Sequence, residues 1–288
     1  MTRSQKAYPI LKTLIIDNER RLAIMFLTFQ RYSIACILIN AMFFISFAYA
    51  EQPEQKQAGK TKIEQKTTSY SVGISTTRII YDPESSGASV GINNPNDYPV
   101  LAMSETFTED SKDKGNFTVV PPLFRLDGNQ NSRVRIIHTS SSFPADRESL
   151  NWFCVTGIPP EKGDQWDEGS KKEVRDNKAF LDIRVKLKQC IKILVRPAGI
   201  KGRADEAPSK VTWKISGKEI IADNPTGYYI NLKMLSVGSS NITEPEYIPP
   251  FGSKKYTLPA GTGSSREIKF TSINDLGGVS ATVSPSLH

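Results

Sequence analysis

Residues 179–197 read AFLDIRVKLKQCIKILVRP. Ala179, Leu181, Ile183, Val185 and Leu187 alternate with Asp182, Arg184, Lys186 and Lys188. A period of two places the first set on one face of a strand and the second on the other. The alternation continues toward Val195, well past the about 5 or 6 residues of an ordinary strand. Such a length calls for a role beyond the core of its own domain.

Shorter strand patterns surround this segment. YSVGISTTRIIYD (70–82), ASVGINN (88–94), PVLAMSETFTE (99–109), NFTVVPPLFRL (116–126), SRVRIIHT (132–139) and LNWFCVTGI (150–158) precede it, with NPNDYP (94–99) as a strong turn signal. Seven or so strands without an amphipathic helix predict an immunoglobulin-like sandwich over residues 69–197. The Pro-, Gly- and charge-rich RPAGIKGRADEAPSK (196–210) marks a break, with a linker expected over 198–210. Strand patterns resume in VTWKIS, KEIIADN, YYINLKMLSV, KKYTLPAG and REIKFTSIND. A second, smaller β-sandwich is therefore expected over 211–288, and no internal repeat relates the two halves. The fold class is all-β.

The N-terminal fifty residues read as targeting. The apolar run IACILINAMFFISF (34–47) follows Arg31 and precedes AYA (48–50), the pattern of a signal peptide cleaved after Ala50. It is shorter than the about 20 residues of a membrane span, so the mature protein is expected to hold no integral membrane segment. Met25 fits the start of such a signal better than Met1, which leaves 1–24 as an upstream segment. Residues 51–68, EQPEQKQAGKTKIEQKTT, are polar and read as a flexible leader. Residues 1–50 hold six of the 37 Lys and Arg and two of the 30 Asp and Glu, so the remainder carries a net charge of only +3. That balance, with no basic block and an export signal, argues against nucleic acid as a partner.

Cys36 belongs to the signal, which leaves Cys154 and Cys190. An even count in an exported chain reads as one disulfide, with two unpaired buried thiols as the alternative. In the loop-entropy view, closing that loop restricts the unfolded chain by roughly 4 kcal/mol. C-x-x-C spacing is absent, and no metal site or cofactor is expected. Catalytic chemistry has little support. His138 ends a strand pattern and His288 is terminal, while H-E-x-x-H, G-x-S-x-G and a phosphate loop are missing. Asp82, Asp97 and Asp127 sit in turns, where they bond their own backbone. The charged stretch 161–178 reads as a solvated hairpin loop, in which Trp166 is out of place.

FPADRESLNWFCVTGIPP (143–160) resembles the signature of the PapD-like periplasmic pilus chaperones of the chaperone–usher pathway. RIIY (78–81), NNPNDYPVL (93–101), PPLFRLDGNQNSRVRI (121–136), CIKILVRP (190–197), NPTGYYINL (224–232), PPFGSKKYTLPAG (249–261) and INDLGG (273–278) extend that resemblance in order over about 70–278. Cys154, where most such sequences have Asn, and the long 161–178 connection resemble the long-loop, disulfide-containing subgroup. The resemblance implies two immunoglobulin-like domains at an angle with a cleft between them. It further implies a periplasmic, non-enzymatic chaperone of fimbrial or capsule-like fibre subunits, which it passes to an outer-membrane usher.

In that family a subunit lacks the last strand of its fold, and the chaperone supplies one by β-augmentation. Leu181, Ile183, Val185 and Leu187, with Ala179 as a shallow fifth, have the spacing for this; packing in the protein's own sandwich is the competing use. Burying four large aliphatics gives a gross gain on the order of 6–12 kcal/mol, from which association subtracts several kcal/mol. Arg78 and Lys192 match positions that hold the subunit's C-terminal carboxylate. Read without the resemblance, both are exposed strand cations. Asp146, Arg147 and Glu148 read as structural turn or domain-interface ion pairs. Self-association of the unbound chain is left open. The alternative to a chaperone is a two-domain secreted adhesin or receptor ectodomain of immunoglobulin type. An anchor or sorting signal would mark it, and ATVSPSLH (281–288) reads as neither.

Overall fold

The computed structural model of the protein describes residues 64–139, 142–161, 164, 180–259, 262 and 267–285. The expected signal peptide, the leader up to residue 63 and Ala179 lie outside the described residues, as does the 161–178 stretch with Trp166 apart from Glu161 and Asp164. The first domain contains β1 (Glu64–Tyr70), β2 (Gly73–Ile74), β3 (Arg78–Tyr81), β4 (Ala88–Asn93), β5 (Val100–Thr108), β6 (Phe117–Val120), β7 (Leu123–Leu126), β8 (Asn131–His138), β9 (Ser149–Ile158), β10 (Phe180–Lys186) and β11 (Lys188–Val195). One sheet has the order β2-β4-β8-β6 and the other β3-β11-β9-β5-β7. Alternate residues of each strand meet between the sheets, where Tyr81, Ile92, Leu126, Ile136, Phe153 and Ile193 are almost wholly buried. β1 and β10 form a separate two-stranded parallel ribbon, from Glu64 beside Phe180 to Tyr70 beside Lys186.

Three segments that read as single strands are each divided in the fold. Within 70–82, β2 joins one sheet and β3 the other. Within 116–126, Pro121 and Pro122 separate β6 from β7, again in opposite sheets. Neither proline has an N–H to give to a ladder, so pairing stops there. The long alternating segment breaks at Leu187, between β10 and β11. Leu187 donates its N–H to Tyr70 O at 3.2 Å and accepts from Gly157 N at 3.0 Å, which ties the ribbon to the sheet. Gly157 is needed at this crossing, because a Cβ there would lie 2.4 Å from Tyr70 O. The leader also ends earlier than its composition suggests, since β1 begins at Glu64.

The second domain contains β12 (Thr212–Ser216), β13 (Glu219–Asn224), β14 (Leu232–Val237), β15 (Ser240–Ile242), β16 (Gly252–Thr257) and β17 (Ile268–Ser272). They form the sheets β12-β13-β16 and β15-β14-β17. Trp213, Ile220, Ile230, Leu235, Ile248 and Phe270 make a second core. Ile200 and Ala207, in the stretch read as a linker, pack into that core as well.

Cys154 and Cys190 are register partners across β9 and β11 and form a disulfide. With a sequence separation of 36, the Cys154→Ser/Cys190→Ser variant is expected to lose about 2–4 kcal/mol of stability. Denaturant unfolding of the two proteins measures this; equal midpoints would exclude a stabilising role.

Candidate functional site

β10 presents its apolar row outward. Leu181, Val185 and Leu187 are 47%, 37% and 44% exposed, and Ile183 is half-buried. They are not packed into the protein's own core clusters. On the opposite parity, Arg184 pairs with Asp182 at 2.9 Å and donates to Pro160 O, which sets the charged face against the end of β9. The only strand paired with β10 among the described residues is β1, so the second edge of β10 carries no ladder. Solvent-exposed aliphatics along an unpaired edge form a template for another strand.

Beyond Leu187 the same parity turns inward: Ile191, Ile193 and Val195 of β11 are buried. β11 runs antiparallel to β9 and parallel to β3, and the second pairing sets Lys192 beside Arg78. The two cations that read as exposed strand residues are in fact enclosed. Arg78 is buried and Lys192 half-buried. They line a cleft of about 680 Å³ together with Thr77 and Trp152 from the first domain and Asn231, Tyr247 and Ile273 from the second.

Among the described residues, neither cation faces a carboxylate within bonding distance. Arg78 Nη1 donates to Ile273 O at 3.2 Å, and its Nε is buried with no hydrogen-bond partner among the described residues. Lys192 Nζ donates to Asn231 Oδ1 at 2.5 Å and lies 4.4 Å from the Tyr247 ring centroid and 5.8 Å from that of Trp152. Burial, and secondarily the charge of Arg78, depresses the Lys192 ammonium to about 8, against a pull upward from Glu109. Burial likewise lowers Arg78, with Asp275 opposing. Two cations in a cleft with so few acceptors around them keep N–H donors and charge uncompensated.

A different charge cluster joins the domains. Arg196 binds Glu148 Oε1 at 2.7 Å and forks onto Asp275 at 2.6 and 2.8 Å. Glu148 also accepts the Tyr229 N–H at 2.7 Å, and its own N–H donates to Gly227 O. Burial pushes the Glu148 carboxyl upward, while Arg196 and the Tyr229 N–H draw it down. Asp146 and Arg147 form an exposed pair, with Arg147 over the Phe251 ring. His138 ends β8 against the Tyr81 and Phe143 rings, a packing position. Sequence reasoning gave Glu148, with Asp146 and Arg147, a turn or domain-interface ion pair but did not single out Arg196 or Asp275. The Arg in LVRP and the Asp in INDLGG were the available signals, and only the fold pairs them.

No helix among the described residues is long and apolar enough to cross a membrane. Lys192 supplies a pH test. Its folded-state value near 8 lies below the ordinary 10.5, so the unfolded chain holds more protons between those values and the folded chain gains stability as pH rises through them. Against a Lys192→Met variant, the wild type is expected to be least stable at pH 7 and to recover by pH 10.5. Paired denaturant curves across that window check the sign, and a gap constant with pH excludes a depressed Lys192.

Comparison with known proteins agrees with the fold. Residues 71–201 match the pili and flagellar-assembly chaperone PapD N-terminal domain, and residues 206–284 match the pili assembly chaperone PapD C-terminal domain. The chain is 48% identical to chaperone protein AfaB of Escherichia coli over 67% of this chain and 78% of that protein. It is 37% identical to chaperone protein AggD of Escherichia coli over 86% and 95%. The crystal structure of the Escherichia coli chaperone DraB is 42% identical, with a TM-score of 0.67 over 78% of this chain and all of that one. The Salmonella enterica SafB chaperone, solved in complex with the SafA pilin, is 34% identical with a TM-score of 0.68 over the same shares. The chain belongs to the PapD-like family of pilus-assembly chaperones, a non-enzymatic family.

Proposed function

We propose that this protein works in the periplasm, where it caps a fibre subunit with β10 and hands it to an outer-membrane usher. The observation that carries this reading is the alternating row Leu181, Ile183, Val185 and Leu187, kept out of the core along an edge without a ladder among the described residues. A subunit lacking a strand has an apolar groove with an unpaired edge on either side. The β1–β10 ribbon offers two outer edges with no strand partner among the described residues, so it suits a groove of that kind. Main-chain bonds give the pairing its strength, and the alternate side chains fill the groove. Ala179 is assigned the shallow end of the row.

The cleft supplies the register. Arg78 and Lys192 bind the subunit's terminal carboxylate, and β11 leads back from them into β10 through Leu187. A chain end fixed at one point forbids the one-residue slip that would turn every apolar side chain out of the groove. Salmonella SafB, solved with its pilin, supports a fimbrial subunit as the partner. The adhesin or ectodomain reading has no comparable support.

A pull-down from the native periplasm tests this. Tagged wild type is expected to retain a secreted β-rich subunit, identified by mass spectrometry. The Arg78→Ala/Lys192→Ala variant is expected to lose it while folded. Leu181→Asp/Val185→Asp, at two exposed positions, is expected to weaken binding by 100-fold or more, since each lost aliphatic is worth about 1.5–3 kcal/mol. Retention of the same partner by the cation variant sinks the anchor. An empty wild type in a fibre-producing host sinks the chaperone role.

A further inference from the structure

Glu109 stands outside the residues expected to act in the cleft, yet it reaches across the domain boundary. It follows β5, in a turn where Ser111 N–H donates to Thr108 O. Its main-chain carbonyl accepts from Trp152 Nε1 at 3.0 Å. Its carboxylate accepts two hydroxyls of the second domain, Tyr247 at 2.9 Å and Tyr229 at 3.1 Å. Those two rings meet edge to face with centroids 5.4 Å apart. Tyr247 and Trp152 are the two rings that face the Lys192 ammonium. One residue thus holds both walls of the cage around that cation.

We propose that Glu109 is a positioning residue of the cleft: by holding Trp152 through its carbonyl and Tyr247 through its carboxylate, it aims the Lys192 ammonium at the space beside Arg78 where a chain-terminal carboxylate is received. This rests on the carboxylate-anchor reading above. A lysine head rides on a flexible four-carbon stem and points nowhere by itself. Aromatic faces restrain it without satisfying its N–H donors, and Asn231 contributes one neutral acceptor. A carboxylate therefore finds the ammonium already placed and only lightly bonded, which lowers the ordering cost of binding.

Glu109 is not required simply to tie the domains together. Arg196, Glu148 and Asp275 already do so with the better buried set of bonds. Its placement matters for Lys192 in a second way. Arg78 pushes the ammonium toward deprotonation and Glu109 pulls it back. The other charged side chains lining the cleft are Lys233, Glu244 and Glu246, with the Tyr247 phenol raised by burial and by Glu109.

The test uses the whole mature chain and a strand-length peptide of alternating aliphatic and polar residues, made once with a free C-terminal carboxylate and once as the amide. The ratio of the two affinities reports the anchor, and NMR titration of the Lys192 side chain reports its protonation. Glu109→Ala is expected to cut the preference for the free acid by about tenfold, within the range for residues in one network, and to lower the Lys192 midpoint. Glu109→Gln keeps hydrogen-bonding capacity without the charge. It should retain the preference at pH 6 and lose it at a lower pH than wild type. Tyr247→Phe keeps the ring and the Glu109 charge but cuts the bond between them, and a severalfold fall in preference is expected. An unchanged Tyr247→Phe overturns the positioning role. So does a Glu109→Ala variant that loses the preference with an unmoved Lys192 midpoint, the mark of a domain brace. Equal binding of acid and amide by wild type refutes the anchor reading itself. The Lys192 midpoint then still decides for Glu109: a downward shift upholds its hold on the ammonium and an unmoved midpoint overturns it.

Discussion

The register of β11 between β9 and β3 is the constraint on which the rest depends. With that register, Ile191, Ile193 and Val195 face the core, Cys190 meets Cys154, and Lys192 lies beside Arg78. Arg196, the residue after β11, continues onto Tyr81 through its N–H and carries the ion pairs that reach the second domain. A slip of one residue would bring Lys192 into the sandwich and expel its neighbours, at a cost of several buried aliphatics together with an unpaired charge. Core, crosslink, cleft and domain junction are thus set by one alignment, and β10 inherits its direction from it.

Much of this was legible in the chain, though not all at the same level. Alternation identifies which residues share a face, and in 179–197 it named Leu181, Ile183, Val185 and Leu187 as one row, which lies outside the core clusters. It does not say which sheet a segment joins. That is why 70–82, 116–126 and 179–197 each read as one strand and are each two. Only the middle one carries a local stop signal, in Pro121 and Pro122, whereas the break at Leu187 arises where Tyr70 and Gly157 take its main-chain groups. Arg78 and Lys192 show the same limit. By composition they are strand cations with no reason to be enclosed, and the cleft that encloses them is walled by Thr77 and Trp152 together with the second domain's Asn231, Tyr247 and Ile273. Glu109 sits in an acidic turn, TEDSKDKG, where its sequence neighbours give it nothing to set it apart from Asp110 or Asp113.

An apolar row held in water is a hazard that the chain restrains by structure rather than by burial. The charged parity of β10 is fastened to the end of β9 through Arg184, and one edge is occupied by a polar strand whose sequence is EQKTTSY. The ribbon therefore cannot fold its aliphatics back into the sandwich without breaking Arg184 away from Pro160 and Asp182. Holding the strand extended beforehand reduces the conformational entropy that remains to be lost when a partner pairs with it.

The two clusters of buried charge at the domain junction differ in how fully they are satisfied. Glu148 has Arg196 and a main-chain N–H on its two oxygens, and Arg196 has Asp275 on its remaining fork. Such a set is already paired within itself, and removing one member would leave a buried charge without its partner, so its role is to fix the domains. Arg78 and Lys192 lie in the same junction with a carbonyl, an amide and ring faces in place of carboxylates, and Arg78 Nε has no partner among the described residues. Burying cations on such terms destabilises the free protein. Deprotonation of Lys192 relieves part of that deficit, and an anion bringing both charge and acceptors would relieve more of it. Chemically similar groups in one junction thus differ according to whether the fold completes their bonding or leaves it open.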